Sequence, residues 1–234
     1  MVPVKVRKRD IELNTLAPSI RVLVDIVEKL IVEELGDGFR VDHKINLYMG
    51  EKQRFANNPR SKKMYIQYDE RLHIDKDPDS EIRNLFISGV LHEIGHSYLK
   101  IENSLKRAKE SIASEGLANV FGLIIMDEAC ARLEKESFLI KNNYLTREKR
   151  WFTDLFNSKK ELPYQLEETR FFYKAVDKEK LLMLIKAFNL KHKTYMQFEK
   201  ILEELFGENM ASEFKKVMDS FDLDAYSRKY DRKA

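Results

Sequence analysis

The chain has 234 residues, 43% of them hydrophobic and 35% charged, with a net charge of +3 and one cysteine. No apolar run is long enough to span a membrane, one thiol cannot form a disulfide framework, and the charge balance gives no strong field for nucleic acid. The expectation is a globular cytoplasmic protein, because the basic stretch Met1–Asp10 is not followed by a signal-peptide core. Basic clusters at Lys5–Arg9, Lys52–Lys63 and Arg228–Lys233 read as solvated surface, so neither nucleic acid nor a membrane is an expected partner.

In chain order, Ile20, Leu23, Val24, Val27, Leu30 and Ile31 recur at helical spacing, which predicts a helix over 17–35 ended by Gly36 and Gly38. Phe39–Met49 alternates as a strand with Val41, Ile45 and Leu47 inward. Residues 50–63 are polar and carry Asn57-Asn58-Pro59, the mark of a loop. Met64–Ile74 reads as a second strand, either a sheet edge that could take up an extended peptide by strand addition or an ordinary paired strand. Asp77-Pro78 is an N-cap followed by a first-turn proline, predicting a helix from there to about Lys100. Cys130 falls in an apolar helix, where packing is its expected role. Beyond Glu115 the pattern is almost entirely helical, with a capping box at Thr194-x-x-Gln197 and a stop at Gly207.

The stretch with chemical content is His92-Glu93-Ile94-Gly95-His96. Residues four apart stand one above the other on a helix, so both imidazoles can reach one tetrahedral metal. Glu93 sits partly round the helix, where it can reach a water on the metal. Flanking residues Leu85–Leu91, Ile94, Tyr98 and Leu99 are largely apolar, and polar ligands in such a helix are costly to bury without a partner.

A catalytic zinc needs a third protein ligand and one open position. Glu115 follows His96 by a gap long enough for a turn and a second helix; Glu102 is the competing choice. The pair HEIGH and SEGLANVFGLIIM resembles the gluzincin zinc metallopeptidases, and more narrowly the ImmA/IrrE-type metallopeptidases, over roughly residues 64–127. Asp127 departs from that family's pattern, which usually has proline there. The resemblance implies one zinc ion held by His92, His96 and Glu115, with Glu93 as general base and then acid. Asn119, one turn after Glu115, would orient a ligand histidine from behind.

The implied fold is α+β. It comprises a zincin-like core with a small sheet and an active-site helix (1–127), and a helical lobe (128–234) covering one side of the cleft. The expected activity is zinc-dependent hydrolysis of peptide bonds in a peptide or protein substrate. Tyr164 and His192 are the candidate oxyanion donors, with Arg170 and the more packing-like Tyr98 behind them. The alternative is a zinc-binding regulatory protein, or a latent peptidase blocked by its own basic tail, Tyr226–Ala234.

Overall fold

The computed structural model describes residues 8–50, 54–58, 63–69, 86–99, 108–133, 144–158, 164–189 and 195–219. Among these, eight α-helices surround a three-stranded sheet, an α+β arrangement dominated by helix. The elements run α1 (Lys8–Leu35), a 3₁₀ turn (Asp37–Phe39), β1 (Lys44–Gly50), β2 (Arg54–Asn58), β3 (Lys63–Asp69), α2 (Phe86–Tyr98) and α3 (Ala108–Arg132). They continue with α4 (Tyr144–Asn157), α5 (Tyr164–Ala175), α6 (Lys178–Asn189), α7 (Tyr195–Phe206) and α8 (Glu208–Asp219). No helix among the described residues is long and apolar enough to cross a membrane.

Helix α1 buries the six apolar positions that its periodicity picks out. It begins earlier than that pattern suggests, at Lys8, and runs through Pro18, whose exposed side chain keeps its ring off the core. The end at Leu35 is as expected. Gly36 takes φ +97°, and its N–H bonds the Val32 carbonyl at 2.7 Å. That is a left-handed closure which an L side chain resists. Gly207, at φ +87°, closes α7 in the same way with an N–H bond to Glu203 at 2.8 Å.

The strands differ from the sequence reading in two respects and decide a third that it left open. First, β1 starts at Lys44 rather than Phe39. Asp42 sits at φ 54° and the His43 N–H bonds the Glu28 carboxylate at 2.8 Å, so neither residue can join an extended ladder. Second, Arg54–Asn58 is a strand and not part of a loop. It pairs antiparallel with β3, from Arg54 opposite Gln67 to Asn58 opposite Lys63. Third, β3 is the central strand and not an edge. The order is β1-β3-β2, with β1 parallel to β3 from Lys44↔Lys63 to Gly50↔Asp69. Within β3, Met64 and Ile66 are fully buried while Tyr65 is 38% exposed, the period-2 pattern of a half-covered sheet. Residues 70–85, with the Asp77-Pro78 start signal, lie outside the described residues, as does Thr194.

One apolar core joins α1, β3, α2, α3 and the C-terminal helices. Helix α3 is its axis and packs against α1, α2, α4, α5, α6 and α7. A polar tie crosses the core's edge. The His43 ring bonds the Glu28 carboxylate through Nδ1 and Ser97 Oγ through Nε2 at 2.7 Å, linking α1, the entry to β1 and the last turn of α2. Burial pushes the Glu28 carboxyl up, but the His43 ring and backbone N–H outweigh it and hold Glu28 below its ordinary value.

Candidate metal centre

Helices α2 and α3 cross at very short range, and glycine is the reason. A Cβ on Gly95 would stand 3.0 Å from the Ala118 Cα, 3.1 Å from its carbonyl oxygen and 3.2 Å from the Phe121 Cβ. From the other side, a Cβ on Gly122 would meet the Leu91 Cβ at 3.2 Å. Each helix thus presents a bare stripe to its partner, and the facing turns bring His92 and His96 of α2 against Glu115 of α3.

Ligand atoms from all three residues lie within 4.8 Å of one another. The Nε2 atoms of His92 and His96 are 3.0 Å apart. Glu115 Oε2 is 3.1 Å from His92 Nε2, and Glu115 Oε1 is 3.4 Å from His96 Nε2. For donors about 2.0–2.1 Å from a tetrahedral zinc, the edge between two donors is roughly 3.3 Å. Each of the three spacings is close to that edge, Glu115 meeting the two rings with different oxygens of its carboxylate, and these residues can hold a metal ion.

The other side of each imidazole is also engaged. His92 Nδ1 meets Asn119 Oδ1 at 2.8 Å. A carbonyl oxygen only accepts, so the hydrogen belongs to His92 Nδ1 and Nε2 is the nitrogen left to face a metal. Ser114 Oγ is 3.2 Å from His96 Nδ1. Asn119 Nδ2 donates in turn to Thr169 Oγ1 at 3.1 Å, reaching across to α5. Such backing fixes ring orientation and ligand basicity.

The charges are strongly coupled. Burial pulls the His92 imidazole down, but the Glu115 carboxylate outweighs it, helped by Glu93 and Asn119, and His92 is held above its ordinary value. Burial pushes Glu115 up; its bonds to the two imidazoles overcome that and hold it well below the carboxylate range. The two ring nitrogens, 3.0 Å apart, form a hydrogen bond when one carries a hydrogen and the other a lone pair, and a cation between them and Glu115 would take the place of that hydrogen. Glu93 lies on the same helix and is 9% exposed.

The remaining sequence candidates fall elsewhere. Glu102 and His192 lie outside the described residues. Tyr164 opens α5, and its side chain is not among those described. Arg170 is committed: Nε donates to Glu167 at 3.0 Å, Nη2 also pairs with Glu167, and Nη1 donates to the Ser158 carbonyl at 3.0 Å. Tyr98 is fully buried and stacks on Phe121 with ring centroids 5.7 Å apart, a packing residue. Burial, then the charges of Glu28 and Asp42, push its hydroxyl above the ordinary value. Glu115 stands about two turns inside α3 rather than in a first turn, so helix-end electrostatics do not account for it.

Reading by motif passed over Gly95, Gly122, Ser114, Thr169 and Glu168. The glycines had a usable signal, since the small residues Ala118 and Gly122 recur four apart on the side of α3 that meets α2. Thr169 had none, because it lies 50 residues from Asn119. No family model, curated protein or solved structure matches the chain.

Proposed function

We propose that this chain is a zinc-dependent metallopeptidase of the gluzincin type, built on a zincin-like core similar to that of the ImmA/IrrE-type enzymes. The observation that carries the reading is the convergence of His92, His96 and Glu115 at tetrahedral edge lengths, with Glu93 between the two histidines. His92 and His96 bind through Nε2, and Glu115 through its carboxylate. When bound, zinc supplies a Lewis acid for the scissile carbonyl and lowers the pKa of a water.

Glu93 takes a proton from the attacking water onto its carboxylate and returns it to the leaving amine. Its partial burial keeps that carboxylate away from bulk water, which strengthens its interaction with nearby charge. Three ligands rather than four converge among the described residues, which favours catalysis over a closed structural site. With β3 paired on both sides, the strand offered to an extended substrate is β2, an edge among the described strands that packs against α2. Tyr164, at the start of α5, and His192 are the donors proposed for the developing oxyanion.

The test is metal content and hydrolysis measured together on untagged protein. Wild type is expected to carry about one zinc per chain. Glu115→Ala should bind zinc at least 10–100-fold more weakly, judged roughly from losses of groups behind the ligands. Glu93→Gln should keep zinc and lose hydrolysis of an unfolded protein substrate. Wild type that takes up no zinc would remove the basis for the enzyme assignment. Full hydrolysis by Glu93→Gln would leave the metal centre and remove the assigned base.

A further inference from the structure

We propose that helix α5 positions the metal centre from the C-terminal half of the chain, with Thr169 acting through Asn119 on His92. The inference rests on the metal-centre reading above. It assigns a role to a residue that touches no ligand.

The Asn119 amide has two ends of nearly equal shape and opposite hydrogen-bonding sense. Which end faces His92 decides whether that histidine can bind a metal. As observed, Oδ1 faces His92 Nδ1 at 2.8 Å and Nδ2 faces Thr169 Oγ1 at 3.1 Å. Nδ1 then carries the hydrogen and the Nε2 lone pair is free for a metal. With the amide turned round, Nδ2 would donate to Nδ1, and the hydrogen of the neutral ring would sit on Nε2. That tautomer cannot coordinate through the nitrogen facing Glu115 and His96. Thr169 Oγ1 accepts from Nδ2 and so tethers the amide in the observed, productive orientation, and Thr169 is fully buried, so bulk water cannot replace it.

The neighbouring residue shows how closely α5 is fitted to α3. A Cβ on Gly116 would stand 2.7 Å from the Glu168 Cδ and 2.8 Å from its Cγ. Glu168 is fully buried against that bare backbone, one residue from Glu115. Residues 168 and 169 thus both press on α3 at the level of the ligands. Arg170, next along, anchors α5 to the end of α4 through the Ser158 carbonyl. The seam has little freedom to re-form the amide contact elsewhere.

The experiment compares T169V, T169S, N119A and the N119A/T169V double variant by zinc competition against a chromophoric chelator. Metal-free thermal unfolding is recorded for each. T169V keeps the shape and drops the hydroxyl, and should weaken zinc binding by about 3–10-fold; T169S should stay within about twofold. N119A should lose roughly 10–100-fold, and the double variant no more than N119A alone, because the hydroxyl acts only through the amide. T169A serves as a second hydroxyl deletion if T169V does not fold. Unchanged zinc affinity in T169V or T169A, beside a wild type that binds one zinc, would overturn this inference and leave the metal centre standing. Additive losses in the double variant would overturn it as well. Wild type that binds no zinc overturns both.

Discussion

Replacing Gly95 with alanine is the most direct probe of how the centre is assembled. The new Cβ would lie 3.0 Å from the Ala118 Cα and 3.1 Å from its carbonyl oxygen, backbone atoms that no rotamer change can move. Reaching ordinary contact at roughly 3.4 Å requires α2 and α3 to separate by about 0.4 Å. Alanine returns about 1 kcal/mol of helix propensity, while overpacking costs about 1–3 kcal/mol. The expected net loss is about 1 kcal/mol, or about 2–4 °C in Tm for a chain of this size. The effect on metal should be larger. Donor atoms must keep their distances to within about 0.2 Å, and the three here are shared across the same crossing. Zinc affinity should fall about tenfold or more. Differential scanning calorimetry of the metal-free protein and chelator competition give the two numbers. A Gly95→Ala protein with wild-type Tm and wild-type affinity would refute the idea that the missing Cβ sets the helix separation.

Asn119→Asp should tighten zinc about tenfold, since a charged acceptor at His92 Nδ1 makes that ring a more basic ligand; chelator competition showing equal or weaker binding would count against it. Glu28→Gln should cost roughly 1.5–3 kcal/mol at neutral pH by weakening the His43 tie. The Glu28 contribution is present above the ordinary carboxyl pKa of 4.5 and is lost as pH falls through the lowered folded value. The deficit of the variant should therefore shrink in urea melts at acid pH, and a constant deficit would contradict the assignment. Gly36→Ala should lose about 1–2 kcal/mol through its φ of +97° alone, as nothing lies within 4 Å of the added Cβ. Gly38→Ala, equally uncrowded but without a positive φ, is the control and should be nearly neutral.

Legibility in the sequence followed the range of the interaction. Helix α1 is written in its own spacing, and the ligand pair of α2 in a single turn. Glu115 and Asn119 share one turn of α3, so the residue pattern carried them as well. The strand at Arg54–Asn58 was hidden because its polar residues form a strand only by pairing with β3. The same pairing moved β3 to the middle of the sheet. The His43 tie joins residues 15 and 54 positions away, and the Thr169 contact spans 50, distances over which a lone sequence carries no register.

Helix α3 is at once the axis of the core and the carrier of Glu115 and Asn119. Anything that binds the folded chain alone stabilises it by mass action. Zinc at a hundred times its dissociation constant would add about 2.7 kcal/mol. Because the same 25 residues serve both purposes, that increment would be felt along the whole helix and by every element resting on it. The metal-free chain would open more often by the same margin, and an amide-exchange experiment with and without the ion would see the difference along all of α3.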